Sequence, residues 1–304
     1  MSVSRKTISI LLAFFAIYVI WGSTYLLNKI AVSELPPFKI AAIRFITASG
    51  IIFLIAKFLK QDISISVKQI KNTAIAGFLF LTFGNGVVVW ALKFVDSGFA
   101  ALEISAQPLV VLILMRIIQK KKISTMSYIG VVLGFIGIYL LVSQKQLISQ
   151  ENQIVGIIMI FICMISWAYG SIFVGKADLP KNSFVNTAYQ MLFGGLMLLF
   201  LSFCFGENWS LPTSWSTDVQ WALVGLVIFG STIAFTAFNY LLKEVSPEKV
   251  ATSTYVNPII ALLLGWYVLN EKITLQSVIA ATVLLTGVYF INTKRKFKPR
   301  SIGR

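Results

Sequence analysis

Two stretches of this chain can be written one over the other without a gap. Val95-Asp-Ser-Gly-Phe-Ala-Ala-Leu-Glu-Ile-Ser-Ala-Gln-Pro108 lies above Val245-Ser-Pro-Glu-Lys-Val-Ala-Thr-Ser-Thr-Tyr-Val-Asn-Pro258. The register holds at an offset of 150 residues through Lys122-Ile123 over Lys272-Ile273, Gly137 over Gly287 and Tyr139 over Tyr289. Each copy has a proline inside an apolar run, a short polar turn, and a second run rich in glycine and small residues. A self-similarity of this length fixes the architecture as two copies of one unit before any short motif is weighed.

The copies cannot be soluble domains. Only 12% of the 304 residues are charged and 57% are apolar, against about 25% charged in an ordinary soluble domain. The apolar residues arrive in blocks of roughly 20, the length that crosses a hydrocarbon core as helix. Ten spans are expected near 7–28, 38–57, 72–92, 98–118, 124–143, 154–174, 184–205, 219–241, 249–269 and 274–292. Five spans per copy is an odd number, so the second copy enters the membrane from the opposite side. The expectation is an all-α integral membrane protein of ten transmembrane helices, built as two inverted five-helix repeats over 7–143 and 154–292, with a basic cytoplasmic tail at 293–304. Arg5 and Lys6, the turns after alternate spans and the tail hold 20 of the 26 Lys and Arg on one side, which makes both termini cytoplasmic. The segment Met1 to Lys6 leads into a long first span without a small-residue cleavage site, and reads as retained.

Several function classes fall away. Histidine is absent and Cys163 and Cys204 sit in apolar runs, leaving no Cys/His metal site and no disulfide framework. The net charge of +15 is scattered over short connections, which argues for topology and against nucleic acid. No GxxxxGK[ST] loop occurs, so nucleotide-driven transport is not expected. No cofactor is implied.

Polar groups inside the spans are the candidates for function. Trp21-Gly-Ser-Thr in the first span and Trp167-Ala-Tyr-Gly-Ser in the sixth pair an aromatic with small polar residues; each tryptophan either packs or lines a cavity. Lys29 and Lys176 on the same helices read as snorkelling to the interface. Asn85, with Trp90 on the same span, and Asn239 in the eighth must find partners in another helix or a wet pocket. Glu103, followed by Ser105 and Gln107, is a candidate for proton coupling or for binding a substrate amine. Its other readings are an ion pair with Lys93 or Arg44 and placement at the interface. In the ninth span Ser253 takes its place, with Tyr255 and Asn257 nearby. Arg44 either binds a carboxylate or serves as a structural, helix-end charge. Pro108 and Pro258 free carbonyls one turn earlier and are candidate hinges or kinks that shape the bundle. Gly130-x-x-x-Gly134 offers a seam for helix packing, by default within the chain, otherwise in a homodimer. The seventh span, with Gly194-Gly195 among phenylalanines, reads as scaffold.

Taken with Trp21-Gly-Ser-Thr24, Pro36-Pro37 leading to Arg44, Pro108, and Asn257-Pro258 leading through Leu264-Gly-Trp-Tyr-Val-Leu-Asn-Glu-Lys-Ile-Thr274, the chain resembles the EamA family of the drug/metabolite transporter superfamily over about residues 7 to 292. The resemblance implies a multi-pass carrier of the bacterial inner membrane with a central cavity lined by the first, third, fourth and sixth spans and their partners, especially the eighth and ninth. The candidate lining residues on these spans are Trp21, Asn85, Trp90, Glu103, Gln107, Trp167, Asn239, Tyr255 and Asn257, of which Glu103 lies outside the family's general pattern. The family's glutamate after the ninth span falls on Glu271, as a helix-end charge, and its first-half equivalent is Lys121. The expected activity is export of small metabolites, amino acids or related amphipathic solutes, by alternating access. A multidrug or other-solute carrier of the same fold is the alternative, a membrane enzyme or scaffold a more distant one. The expected partners are a small-molecule solute, the lipid bilayer and protons.

Overall fold

In the computed structural model, residues 5–120, 124–143, 152–245, 250, 253 and 256–292 are described. Among them, eight helices are long and apolar enough to cross a membrane: α1 (Lys6–Val32), α2 (Pro37–Phe58), α3 (Val67–Ala91), α4 (Ser97–Gln119), α5 (Thr125–Val142), α6 (Gln153–Val174), α7 (Ser183–Cys204) and α8 (Thr217–Glu244). Two further helices, α9 (Asn257–Leu269) and α10 (Leu275–Asn292), are apolar over shorter stretches. Helix starts are set by side chains that take up the free N–H groups of the first turn. Ser66 and Gln69 form a reciprocal capping box ahead of α3, Ser124 Oγ accepts from Ser127 N ahead of α5, and Asn182 Oδ1 accepts from Phe184 N and Val185 N ahead of α7.

The interior is held by Ile17, Ile52, Phe45, Phe80 and Met191, all essentially inaccessible, while Phe135, Phe200, Tyr267 and Tyr289 stay exposed. Large apolar side chains on the outside are what a lipid-facing surface requires. The α5 seam is used within the chain. A Cβ on Gly287 of α10 would stand 2.7 Å from the Gly130 carbonyl oxygen and 2.8 Å from Gly134 N, so the two backbones meet where side chains would keep them apart.

Three helices contain π-helical stretches, Ala16–Ile20 in α1, Phe78–Gly86 in α3 and Leu226–Ile233 in α8. Such stretches leave carbonyls for outside partners. With its amide nitrogen turned toward α1, Asn257 donates to the carbonyls of Tyr18 at 2.7 Å and Ile17 at 3.1 Å. Ser166 Oγ donates to Leu79 O at 2.8 Å, and Trp21 Nε1 donates to Gly230 O at 3.2 Å.

The prolines do not sit in continuous helix. α4 is interrupted at Ser105–Ala106 and resumes at Gln107, which puts Pro108 in the first turn of its second segment, where a missing N–H costs least. Pro258 has the same place in α9. The backbone bonds of the two breaks correspond. Ala106 N donates to Glu103 O at 3.1 Å and Leu109 N to Ala106 O at 2.9 Å; 150 residues on, Val256 N donates to Ser253 O at 3.2 Å and Ile259 N to Val256 O at 3.1 Å.

At one end of the bundle three carboxylates hold helix starts on the other side of the chain's midpoint. Glu271 accepts from Ser97 N and Gly98 N at the start of α4, Glu207 from Phe38 N and Lys39 N at the start of α2, and Glu34 from Ser216 N at the start of α8. Anions at helix N-termini meet unpaired N–H groups and the positive end of the helix dipole. At the opposite end Lys6 pairs with Glu244 at 2.6 Å, and Lys243 Nζ donates to the carbonyls of Pro180 and Lys181.

Candidate functional site

Between α1, α2, α3, α4, α6, α8 and the start of α9 lies a cavity of about 130 Å³. One wall is aromatic. The rings of Trp21 and Trp167 meet edge to face at 6.0 Å between centroids, and Phe238 lies 5.1 Å from the first and 5.6 Å from the second. Phe235 completes the wall at 6.4 Å from Trp167. Edge-to-face contact between rings at such distances fixes their planes, so the wall is a shaped surface.

The polar part of the lining is organised by Arg44. Its guanidinium is 3% exposed and lies over the Phe45 ring at 4.9 Å. Nε donates to Ser231 Oγ at 2.7 Å, while Nη1 reaches Asn85 Oδ1 only at 3.4 Å and Asn28 Oδ1 at 3.5 Å. Asn28 is oriented by its own Nδ2, which donates to Thr24 O at 2.8 Å. Gly230 is needed here, because a Cβ on it would stand 2.8 Å from Thr24 Cγ2 and 3.1 Å from Arg44 Nη2. Also in the lining, Gln107 donates through Nε2 to Met164 O at 3.0 Å, and Asn257 is anchored on the α1 carbonyls.

Of the residues expected at a cavity, Trp21, Asn85, Gln107, Trp167 and Asn257 come together on it, and Arg44 joins them. Trp90, Glu103 and Asn239 do not line it. Trp90 packs on Phe38 and Phe205 at 5.5 and 5.7 Å. Asn239 is a tie between helices: Nδ2 donates to Thr187 Oγ1 at 3.0 Å and Oδ1 accepts from Asn186 Nδ2 at 3.4 Å. Gln190 Nε2 donates to Asn186 Oδ1 at 3.0 Å in the same network, so α7, expected as plain scaffold, carries a buried polar core of its own. Glu103 is 2% exposed, lies near Cys163 of α6, and leaves Oε2 without a hydrogen-bond partner. It forms no ion pair with Arg44 or Lys93; among the described residues the pairs within 4.0 Å are Lys6–Glu244 and Lys68–Asp178. Lys29, read as snorkelling, instead donates to Leu92 O and Val95 O at 2.7 Å each. Tyr255 and Lys121 lie outside the described residues.

Asn28, Ser231, Phe235 and Phe238 were not singled out from the sequence, and Thr24 only within Trp21-Gly-Ser-Thr24, though their spacing carries a signal. Positions 21, 24 and 28 fall on one helical face, as do 231, 235 and 238.

The profile of the EamA-like transporter family matches residues 7–143 and again 154–293. The uncharacterized inner membrane transporter YedA of Escherichia coli (strain K12) is 34% identical over 303 residues, covering 97% of this chain and 96% of that protein. The uncharacterized transporter YoaV of Bacillus subtilis (strain 168) is 23% identical over 94% of this chain and 97% of that protein. A solved crystal structure superposes with a TM-score of 0.70 at 18% identity, over 94% of this chain and 96% of that one, a likeness of fold. A multi-pass helical chain matched by one profile in both its halves, and by full-length relatives named as transporters, belongs to the EamA-like transporter family.

Proposed function

We propose that this protein is a secondary transporter that exports small metabolites, amino acids or related amphipathic solutes, across the inner membrane by alternating access. One observation carries the reading: a cavity between helices of both chain halves joins an aromatic wall to a guanidinium and amide pole. An amphipathic solute can satisfy both surfaces at once. The free volume of about 130 Å³ favours a small metabolite over the bulky solutes of a multidrug carrier, since drug-sized ligands occupy sites of roughly 300–1,000 Å³.

In this reading residues 7–143 and 154–292 are inverted five-helix repeats, supported by the backbone breaks that recur at an interval of 150 residues. Exchange of conformation between the repeats opens the cavity to alternate sides, with the breaks before Pro108 and Pro258 as hinges. Both termini and the basic tail are cytoplasmic, as the Lys and Arg distribution supports. Glu103, buried with an unpartnered carboxyl oxygen, is the group assigned to proton coupling. The Gly130/Gly134 stripe is occupied by α10, so a homodimer would have to form through another face.

The test is counterflow of labelled amino acids in proteoliposomes, with and without a pH gradient. Saturable exchange stimulated by solute on the far side supports a carrier. Unsaturable flux without such stimulation would indicate a channel and end this reading.

A further inference from the structure

We infer that the transported solute carries a carboxylate that binds Arg44, and that this acid group, more than any amine, decides what is exported. The inference rests on the carrier reading above and deepens it. A guanidinium has five N–H donors and a charge that cannot be shed. Removed from water, it calls for an anion close by. Arg44 has none: among the described residues it forms no ion pair, and it is the only charged residue among those lining the cavity. Its partners are neutral, and only the bond to Ser231 is short, the amide oxygens of Asn85 and Asn28 lying at 3.4 and 3.5 Å. Nη2 makes no hydrogen bond to the protein among the described residues and packs against Gly230, where a Cβ would stand 3.1 Å from it.

The pole is thus built to hold a cation in place while leaving its charge uncompensated, an arrangement completed by an anion in the cavity. A single positive residue balances one negative charge, which favours a monoanionic carboxylate over a phosphate monoester dianion. The aromatic wall takes the apolar part of the same molecule. An ammonium on the solute meets no carboxylate among the described lining residues, since Glu103 is not one of them. Ring faces and amide oxygens can accept it, but they leave it weakly selected.

Four probes separate the groups: phenylalanine, 3-phenylpropionate, phenylalaninamide and phenethylamine, each tested for inhibition of counterflow and for thermal stabilisation of the purified protein. Both acids should act, and the amide and the amine should be at least tenfold weaker. Arg44→Gln should abolish the difference. Because Arg44→Gln is a substitution in the interior, Asn85→Asp provides a second route. It sets a carboxylate beside Nη1, supplying the missing anion from within. That variant should be at least as stable as the parent while losing at least tenfold in response to both acids. Saturable exchange that the amide or amine inhibits as well as the acids would overturn the inference and leave the carrier reading standing. Unaltered acid discrimination in Asn85→Asp would overturn it too. Absence of saturable exchange by any probe, or by the wider amino-acid panel, would remove both.

Discussion

The carboxylate of Glu271, in the turn between α9 and α10, accepts hydrogen bonds from Ser97 at the start of α4, through the backbone N–H at 2.8 Å and the hydroxyl at 2.7 Å. Its other oxygen takes the Gly98 N–H at 3.0 Å. A glutamate that reads in the sequence as the end of its own helix thus holds the beginning of another, 174 residues away. Replacing a cap costs about 0.5–2 kcal/mol, and bonds to a charged group about 1.5–3 kcal/mol. Glu271→Ala should therefore destabilise the protein by about 2 kcal/mol, with Glu271→Gln losing less because its amide oxygen still accepts. Denaturant unfolding in detergent measures this. A double-mutant cycle with Ser97→Ala should show coupling, and strict additivity would contradict the direct link.

Asn239 supplies the second prediction. It is 2% exposed and joins α8 to Thr187 and Asn186 of α7, away from the cavity. Asn239→Leu keeps the branched outline in a larger side chain and strands those partners without bonds. Polar ties between membrane helices average about 0.6 kcal/mol, and stranded partners add a desolvation cost, so a loss of about 1–2 kcal/mol is expected. Solute half-saturation should not change. A selective loss of solute affinity with unchanged stability would return Asn239 to the site.

The contrast between Asn85 and Asn239 explains what was legible from the sequence. Long apolar helices follow from apolar length and could be read directly for eight of the expected spans, whereas the breaks that put Pro108 and Pro258 at helix starts could not. Which way a residue faces depends on counting around the helix, and the π-helical stretches at Phe78–Gly86 and Leu226–Ile233 wind more residues per turn. Trp90 and Asn239 do not line the cavity, whereas Asn85, within the first stretch, and Val88, Phe235 and Phe238, beyond the two stretches, do. Arg44 was visible as a costly charge, but that no described acid pairs with it needed the positions of the described acids.

A pH dependence is expected at Glu34. Hydrogen bonds from Ser216 hold its carboxyl below the usual carboxylate range. A depressed value means that the contribution is present above the unfolded-state value of about 4.5 and is lost as pH falls through the folded-state value. Thermal stability of the parent and of Glu34→Gln should therefore run parallel at neutral pH and converge on acidification. A gap that widened toward acid pH would reverse the assigned sign.

Pro108 keeps α4 broken because residue 108 cannot donate to the carbonyl of Ile104. Pro108→Ala restores that donor and favours one continuous helix. Maximal exchange rate should fall several-fold while solute affinity stays within about twofold, the pattern of a slowed conformational step. Pro258→Ala should behave alike. Altered affinity at an unchanged maximal rate would contradict the hinge role.

Glu103 sits one turn before the same break, its backbone carbonyl accepting from Ala106 N at 3.1 Å. Its side chain is buried, and Oε2 has no partner to stabilise a charge. On the proposed reading, a proton gained or lost there would change the charge beside α6 and next to the proposed hinge in α4, which would link protonation to the conformational step without contact with the solute. Glu103→Gln fixes the neutral form at nearly the same volume. The variant should fold, should exchange solute at equal pH on both sides, and should lose any acceleration that an imposed pH gradient gives the parent. Gradient-driven transport surviving intact in Glu103→Gln would move proton coupling to another group.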